Sequence, residues 1–399
     1  MLERSFAGAG TSTEGASASR REAPAGETVS RTRAAVLHEA GKPWDIVELD
    51  LDPPKETEVL VELKAAGLCH SDEHVRAGDS RARLPMVGGH EGSGVVVATG
   101  AKVTRVAVGD HIVCSFIPVC GTCRYCQTGR SSLCDRGLFA GVGCLPDQTF
   151  RFHENGEDVG GLCVLGTFSE YAVVSEWSVT KIHDWLPFDI AALVGCGVTT
   201  GWGSAVYASQ VRAGDTVVVF GIGGVGINAV QGARFAGAKH LVAVDPVPFK
   251  LEMAEKVGAT RTFTDPDEAQ DYITEVTWGQ GADHAILTVG VMTADVVDRG
   301  IKIVGKGGTI TITGIPKQGE MTIVQNSAAI TGWQKRIQGT IFGSSNPLYD
   351  IPRLLSLWES GDLMLNELIT RRYKLEEVNE GYQDMLDGKN VRGVIVYDD

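Results

Sequence analysis

The chain has 399 residues, 43% of them hydrophobic and 22% charged, with 50 glycines, nine cysteines and a formal net charge of −14. This length predicts two or three domains, each with enough apolar residues for a core. Nucleic-acid phosphates are bound by clustered Lys and Arg, so the acidic balance argues against a nucleic-acid partner. No apolar run reaches the roughly 20 residues that span a bilayer, and the N-terminus lacks a secretory pattern. We therefore expect a soluble, cytoplasmic protein without a membrane partner.

The first part of the chain indicates a tail followed by a β-rich region. Residues 1–30 consist mainly of Ala, Gly, Ser, Thr, Glu and Arg, a composition that predicts a disordered tail. From residue 31 onward, short alternating apolar runs are broken by Gly41 and by Pro53-Pro54, a pattern typical of strands and turns. We expect residues 31–196 to form a mostly β domain.

A cluster of cysteines lies within that region, in a lobe at about 114–135. Cys120, Cys123, Cys126 and Cys134 follow the spacing C-x2-C-x2-C-x7-C. Four thiolates at such spacings close a tetrahedral structural zinc site, and this irregular stretch needs something besides apolar packing to hold it. A bacterial iron–sulfur run would space its last cysteine by three residues and follow it with proline, whereas Asp135 follows here. Structural zinc is the favoured interpretation, with a cluster or disulfides as alternatives.

The second half of the chain alternates between two kinds of segment. Continuous apolar runs such as TVVVFG (216–221) and HLVAVD (240–245) are typical of buried strands, and helix-like stretches separate them. This alternation predicts an α/β domain with a doubly wound parallel sheet over residues 197–342. Residues 343–399 contain a helix-like segment and a terminal strand, which we expect to return to the first domain.

A glycine-rich hexapeptide lies between the first predicted strand and helix of the second domain. Gly221, Gly223 and Gly226 fit G-x-G-x-x-G, and Asp245 closes the next strand 22 residues after Gly223. Such glycines permit a tight turn and let the backbone approach a pyrophosphate at the helix N-terminus. A carboxylate at Asp245 would bind ribose hydroxyls and repel a 2′-phosphate, which favours NAD over NADP. The alternative is a packing turn that binds no ligand.

A second metal site is indicated more weakly. Cys69 after an apolar run and His90 in GGHEG are each typical of ordinary core residues when considered alone. Together with Cys196 they could supply Cys, His and Cys, a three-ligand zinc set that leaves one position open for a substrate. Such a site favours loss of the proton from a bound alcohol, from which hydride then leaves more readily.

Several motifs together resemble one known family. GLCHSDEH, GGHEG, the four-cysteine lobe, the cysteine before GVTTGWGSA, and GIGGVG followed by Asp245 resemble the zinc-dependent medium-chain alcohol dehydrogenases from about residue 33 to 397. SFIPVCGTCRYC and FGSSNPLYDIPRLL further resemble the actinobacterial nicotinoprotein branch, which keeps NAD bound during turnover and is assayed with a nitrosoaniline dye. The resemblance implies a GroES-like mostly-β catalytic domain plus a Rossmann domain. It also implies an oxidoreductase for alcohols and aldehydes or ketones, with NAD, two zinc ions per subunit and a dimeric or tetrameric assembly.

The resemblance also implies catalytic roles. Cys69, His90 and Cys196 would bind the catalytic zinc, and Glu91 would lie behind it as a transient ligand. Asp72 would orient His90 through its second ring nitrogen. Ser71 would take the alcohol proton and pass it to His74 at the surface, where a histidine suits a relay because its ordinary pKa is near neutrality; a plain surface histidine is the alternative.

Further positions are expected around the cofactor and the substrate. Phe116 would face the substrate, although an aromatic residue there is equally typical of plain core. The cofactor contacts implied for this chain are His70 at the pyrophosphate, Lys250 at the adenosine ribose, Thr200 and Val225 at the nicotinamide ring, Arg392 at the phosphates, Gly224 within the hexapeptide, and Val289, Gly290 and Ile315 along the cleft.

Two other functions stay open at this point. A thiol-adduct formaldehyde dehydrogenase on the same fold would need basic residues near the mouth of the pocket, where Arg81 and Arg83 are candidates. A non-catalytic NAD-binding protein belongs to a different class, and the intact set Cys69, His90 and Cys196 argues against it.

Overall fold

This computed structural model describes residues 30–320 and 327–397, so all but the last residue of the expected tail at residues 1–30 lie outside the described residues. The elements of the first half are β1 (Arg31–Leu37), β2 (Asp45–Leu51), β3 (Glu58–Gly67), α1 (His70–Arg76), β4 (Met86–Val87), β5 (Gly92–Thr99), β6 (His111–Cys114), α2 (Arg124–Gln127), β7 (Phe152–Glu154), β8 (Glu157–Gly161), β9 (Tyr171–Ser175), β10 (Val179–Lys181) and α3 (Phe188–Leu193).

The elements of the second half begin at the helix that follows Cys196. They are α4 (Gly197–Gly203), β11 (Thr216–Phe220), α5 (Gly226–Phe235), β12 (His240–Val244), α6 (Pro248–Lys256), β13 (Arg261–Phe263), α7 (Pro266–Val276), β14 (Ala282–Leu287), β15 (Val291–Met292), α8 (Ala294–Ile303), β16 (Val304–Ile312), β17 (Ile315–Pro316), α9 (Ser327–Gly332), β18 (Arg336–Gly339), α10 (Pro347–Glu359), β19 (Ile369–Tyr373), α11 (Val378–Leu386) and β20 (Arg392–Val396).

Strands of the first half, together with β19 and β20 from the end of the chain, form a barrel and a sheet around β3, and these two strands are counted with the first half below. The closed barrel has the order β1-β2-β7-β8-β4, and the sheet has the order β10-β6-β5-β3-β20-β19, with β9 also paired to β3. β3 has partners on both edges and is buried along most of its length. The C-terminal strand β20 pairs antiparallel with β3 at Ala65–Gly67, which brings Arg392 close to the residues that follow β3.

The six-stranded sheet of the second half confirms the predicted doubly wound topology. Its strands are all parallel, in the order β13-β12-β11-β14-β16-β18. Counted along the chain from β11, this is the order 3-2-1-4-5-6 of dinucleotide-binding sheets. In such sheets ligands bind where the strand order reverses, which here is beside the carboxyl ends of β11 and β14. The glycine-rich hexapeptide begins at the end of β11.

One hydrophobic cluster joins the two halves. Ala65 of β3, Val113 of β6 and Val394 of β20 belong to the same buried cluster as Trp202 after Cys196 and Val219 of β11. A separate cluster fills the barrel and the sheet of the first half, where Trp44 and Phe168 lie at a ring-centroid distance of 5.9 Å. The two sheets are therefore packed together on one side, along a shared apolar core.

Candidate active site

Four buried side chains from three separate segments meet between the two halves. Cys69 precedes α1, His90 and Glu91 lie between β4 and β5, and Cys196 precedes α4. Their ligand atoms all lie within 4.8 Å of one another, and all four residues are buried. The amide of Gly67 at the end of β3 donates to the carbonyl of Glu91 at 3.1 Å, so strand pairing fixes this segment beside Cys69.

The charges of the buried groups at this cluster favour the binding of a cation. The hydrogen bond between Cys69 and Cys196 lowers the pKa of Cys69 and raises that of Cys196. Burial alone would lower the pKa of His90, but the charges of Asp72 and of the two cysteines outweigh it, so that this pKa lies well above its ordinary value. Nδ1 of His90 lies 3.2 Å from Oδ2 of Asp72, which leaves Nε2 free to face the cysteines.

The donor set fits zinc. Two sulfurs and one imidazole nitrogen are ligands that zinc prefers, and three protein ligands are typical of catalytic zinc sites. The buried Asp72 also accepts a hydrogen bond from the amide of Gly89 at 2.9 Å, so the carboxylate that orients His90 is itself held in place. The lowered pKa of Cys69 and the raised pKa of His90 both indicate a site that stabilises positive charge, which a metal ion would supply.

Glu91, the fourth member of the cluster, pairs with Arg392. Its Oε2 forms a buried ion pair with Arg392, and its Oε1 accepts from the amide of Gly197 at 3.2 Å. Burial raises the pKa of Glu91 to about 7, although Arg392 opposes the shift. A Cβ atom at Gly197 would collide with the guanidinium, so this close approach requires glycine.

Arg392 also reaches the glycine-rich loop. A Cβ atom at Gly224 would lie 2.5 Å from Cδ and 2.7 Å from Nη1 of Arg392. The Nε atom of Arg392 is buried and has no hydrogen-bond partner among the described residues. The guanidinium therefore connects the metal-ligand cluster to the hexapeptide, and its Nε–H group remains able to donate a hydrogen bond to a bound ligand.

The hexapeptide is shaped as a dinucleotide-binding turn. Gly221 has φ +86°, and a Cβ atom there would lie 2.7 Å from Cα of Val289. A Cβ atom on Gly226 would collide with the carbonyl of Gly221, whereas one on Gly223 would meet no atom within 4 Å. The first and third glycines are thus required by the protein itself. The open space above Gly223 fits the approach of a pyrophosphate to the backbone.

Asp245 lies beside this turn, directly after β12. Its Oδ2 accepts from the amide of Ile222 at 2.7 Å, and its Oδ1 accepts from the amide of Val247 at 2.9 Å. These bonds hold the carboxylate rigidly at the end of the strand, where each oxygen keeps a lone pair for another donor. Lys250 follows on α6, and its charge contributes to the environment of His70.

The remaining predicted cofactor residues lie around the same cleft. His70 faces Gly290, where a Cβ atom would lie 3.0 Å from the ring. Burial lowers the pKa of His70, and the neighbouring His74 adds to this effect. Thr200 on α4 is buried, with its Oγ1 3.9 Å from Sγ of Cys196. The other three positions are Val225 directly before α5, Val289 after β14, and Ile315, which pairs with Val291 between β17 and β15.

The prediction that His74 lies at the surface is wrong. Its side chain is 3% exposed because α1 packs against the edge of the second half, where Nε2 lies 2.8 Å from the carbonyl oxygen of Gly290. Nδ1 of His74 lies 3.5 Å from Oδ2 of Asp79. Ser71, one turn earlier, has its Oγ 3.7 Å from Sγ of Cys69. The half-buried Asp79, rather than His74, is the next group towards solvent.

Two aromatic rings pack against each other next to His90. The ring centroid of Phe116 lies 5.7 Å from that of His90 and 4.9 Å from that of Phe342. Phe342 is buried and also packs against Cys120 and Cys134 of the four-cysteine lobe. Sequence reasoning missed Phe342 as a site residue, because its signal, the FGSS motif, indicated only a family likeness.

The four cysteines of the lobe form the second cluster of potential metal ligands. Their sulfurs all lie within 4.8 Å of one another. Backbone amides point at them: the amide of Cys123 donates to Sγ of Cys120 at 3.3 Å, and that of Cys126 donates to Sγ of Cys123 at 3.5 Å. Although burial opposes it, hydrogen bonding from Thr122 and from backbone amides lowers the pKa of Cys120 to about 6. Four sulfurs arranged in this way fit a structural zinc ion.

Comparison with known proteins agrees with this geometry. The chain matches the family models of the alcohol dehydrogenase GroES-like domain at residues 55–184 and of the zinc-binding dehydrogenase at residues 224–360. An NDMA-dependent alcohol dehydrogenase from Amycolatopsis methanolica is 57% identical over 367 residues, or 92% of this chain and 99% of that relative. The chain belongs to the zinc-binding alcohol dehydrogenase family.

More distant members of the family extend the comparison. An S-(hydroxymethyl)glutathione dehydrogenase from a Synechocystis species is 37% identical over 92% of this chain and 100% of the relative. A solved alcohol dehydrogenase zinc-binding domain protein from Burkholderia ambifaria has a TM-score of 0.86 at 32% identity, covering 92% of this chain and 99% of that one.

Family membership confirms the predicted fold class and enzyme class. As a zinc-binding alcohol dehydrogenase the chain is an oxidoreductase, and the family implies zinc and a nicotinamide cofactor. Throughout residues 30–320 and 327–397, no helix has the length and apolar character required to cross a membrane.

Proposed function

We propose that this family member catalyses reversible hydride transfer between a primary or secondary alcohol and NAD, and that it keeps NAD(H) tightly bound. The observation that carries the proposal is the position of Arg392. This residue contacts Glu91 behind the Cys69–His90–Cys196 cluster and also Gly224 of the dinucleotide turn. A metal-ligand cluster and a dinucleotide site so close together suit hydride transfer from a metal-activated alcohol.

When bound, zinc supplies a Lewis acid and NAD supplies the hydride acceptor. Cys69, His90 and Cys196 hold the metal, and Asp72 fixes the ring orientation of His90. Ser71 takes the alcohol proton and His74 receives it, with Asp79 as the exit towards solvent, since its carboxylate lies 3.5 Å from Nδ1 of His74. In this proposal Asp79, rather than His74, is the last residue of the proton relay.

The rest of the pocket positions the reactants. Phe116 and Phe342 exclude water on the substrate side, and Thr200 and Val225 orient the nicotinamide ring. Gly223 presents its backbone amide to the pyrophosphate, with His70 and Arg392 beside it. Gly221 and Gly226 shape the turn, and the amide of Gly221 donates to the carbonyl of Val244. Lys250 lies at the adenosine ribose, and Val289, Gly290 and Ile315 line the cleft.

NAD is the proposed dinucleotide because Asp245 would repel a 2′-phosphate. We expect Asp245→Gly to lower the ratio of kcat/KM for NAD to that for NADP by about tenfold or more, since like charges in contact cost several kcal/mol. The ratio is the proper readout, because Asp245 also accepts hydrogen bonds from the amides of Ile222 and Val247. Loss of these bonds weakens the binding of NAD and of NADP alike. Asp215→Gly, at the opposite end of the sheet, is the matched control. An unchanged ratio in Asp245→Gly would contradict the assignment.

Tight retention of NAD(H) is tested on the protein itself. We expect protein purified without added cofactor to release close to one NAD(H) per subunit on denaturation, measured by absorbance and an enzymatic cycling assay. A largely empty protein that requires added NAD would indicate an ordinary dehydrogenase instead.

The thiol-adduct formaldehyde dehydrogenase is the second candidate, and the two arginines do not favour it. The guanidinium of Arg83 lies 4.3 Å from the ring centroid of Phe150 and donates to the carbonyl of Asp158, and Arg81 contacts Gln318. We expect formaldehyde turnover to be unaffected by glutathione or mycothiol; strong dependence on either thiol would favour this candidate.

The assembly and location are proposed from exposed surface and free thiols. β18 lies at one edge of the six-stranded sheet of the described chain, and Trp333, Ile337 and Ile341 beside or within it are 49%, 39% and 46% exposed. An exposed apolar edge needs cover, and we propose a second copy of this chain in a homo-oligomer, a dimer or tetramer. All nine cysteines are free, which fits a reducing cytoplasm.

The number of metals and the domain limits complete the proposal. Two zinc ions per subunit are supported by the two ligand clusters. A catalytic domain of residues 31–196 and 343–399, with an NAD-binding domain of residues 197–342, is supported by β20 pairing with β3 and by the separate parallel sheet.

A further inference from the structure

A segment just after α1 contacts the second half of the chain across the cleft. The amide of Gln318 donates to the carbonyl of Asp79 at 2.7 Å. With its oxygen turned towards Arg81, the Gln318 side chain accepts from Nε at 2.6 Å and from Nη2 at 3.1 Å. Nζ of Lys317 lies 3.5 Å from Oδ1 of Asp79.

These contacts differ in kind from those on the other side of the cleft. There, Ala65, Val113 and Val394 share a buried apolar cluster with Val219 and Trp202, which keeps the two halves together. At the segment after α1, the contacts are hydrogen bonds and an ion pair among residues that are exposed or, in the case of Asp79, half-buried. Polar surface contacts open at much lower cost than a buried apolar core. The apolar side therefore suits a hinge and the polar side an opening edge.

The dinucleotide would lie between these two sides. Gly223 and Asp245 approach it from the second half, whereas His70 and Arg392 approach it from the first. Release of the dinucleotide then requires the two halves to separate, and every contact that joins them at the opening edge resists that separation.

We propose that Asp79, Arg81, Lys317 and Gln318 form a latch that slows dissociation of bound NAD(H). This inference rests on the proposed function, because it assumes that NAD(H) occupies the cleft. It assigns Arg81 a positioning role within the chain, in place of a role in binding a thiol cofactor. The side chains of Arg81, Lys317 and Gln318 do not touch the reacting atoms, so their removal changes the lifetime of the complex. Asp79, the proposed proton exit, is left unchanged in the variants below.

The rate of NADH release tests the latch. Protein loaded with NADH is mixed with excess NAD⁺, and the decay of nicotinamide fluorescence excited through protein tryptophan gives the dissociation rate constant. We expect Arg81→Ala or Gln318→Ala to increase this rate by about fivefold, the upper range for an exposed polar contact. Arg81→Ala combined with Lys317→Ala should increase it by roughly tenfold or more.

Arg83→Ala is the matched control. It removes the same charge two residues from Arg81, but Arg83 contacts Phe150 and the carbonyl of Asp158 within the first half of the chain. Its NADH release should equal that of the unmodified protein. Melting temperatures measured on all variants identify any general loss of stability.

The outcomes separate the latch from the proposed function. Faster release in Arg81→Ala and Gln318→Ala, with Arg83→Ala unchanged, supports the latch. NADH binding with the same release rate in every variant, or equal acceleration in Arg83→Ala, overturns the latch and leaves the proposed function intact. If the unmodified protein binds no NADH, both the latch and the NAD assignment fail.

Discussion

Cys69→Ala is expected to abolish alcohol turnover while the protein still binds NAD(H). Removal of this thiol leaves His90 and Cys196 as the remaining pair of the three proposed ligands, and the metal site loses its charge balance. A metal acting as Lewis acid contributes several kcal/mol to the barrier, so kcat should fall roughly 1,000-fold or more. Steady-state kinetics, zinc content by mass spectrometry and released NAD(H) are measured on the same preparation.

The control for this variant is Cys114→Ala. Cys114 is a buried thiol in β6, whose pKa burial raises to about 12, and it belongs to neither ligand cluster. Its replacement should leave zinc content and kcat nearly unchanged. Full activity in Cys69→Ala would refute the catalytic zinc assignment, whereas loss of NAD(H) binding along with activity would point to a wider collapse of the site.

Cys123→Ala is expected to lower the stability of the folded protein. The small apolar cluster at the lobe contains the buried residues Ile117, Cys120, Cys134 and Phe342, which is little support for an irregular stretch of this length. Removing one sulfur from a structural zinc site therefore removes much of the stabilisation of the lobe. We expect one fewer zinc ion per subunit and a melting temperature lower by about 10 °C, measured by calorimetry.

The same variant should also lower activity, because the lobe contacts the active site. Phe342 packs against Cys120 and Cys134 on one side and against Phe116 on the other. Cys144→Ala is the matched control, since Cys144 is a buried thiol nearby that is outside the four-cysteine set. A Cys123→Ala protein with normal stability and two zinc ions would argue against a structural metal.

The features that sequence reasoning predicted best can be recognised from short stretches of the sequence. The four cysteines lie within one loop, and their spacing alone brings their sulfurs together. Gly221, Gly223 and Gly226 belong to one strand–turn–helix unit, whose shape follows from backbone conformation and close packing. The continuous apolar runs predicted the parallel sheet because buried strands have no polar face. In each case the pattern that reveals the feature lies within one short segment of the chain.

The proposed catalytic ligands were weaker signals because the fold brings them together. Cys69 and His90 are individually indistinguishable from core residues, and only the motif combination that resembles a known family joined them to Cys196. The structure brings them together through the pairing of β3 with β5 and the position of α4. The spacing of Cys69, His90 and Cys196 along the chain does not reveal that the fold brings them together.

By itself, therefore, the sequence determined the nature of the two sheets, the dinucleotide turn and the four-cysteine lobe, since these depend on local pattern and chemistry. The tertiary structure alone decided that His74 is buried against Gly290, that Arg392 joins Glu91 to Gly224, and that Arg81 reaches Gln318. The physical reason is that burial and polar pairing depend on which distant segments the packed sheets bring into contact.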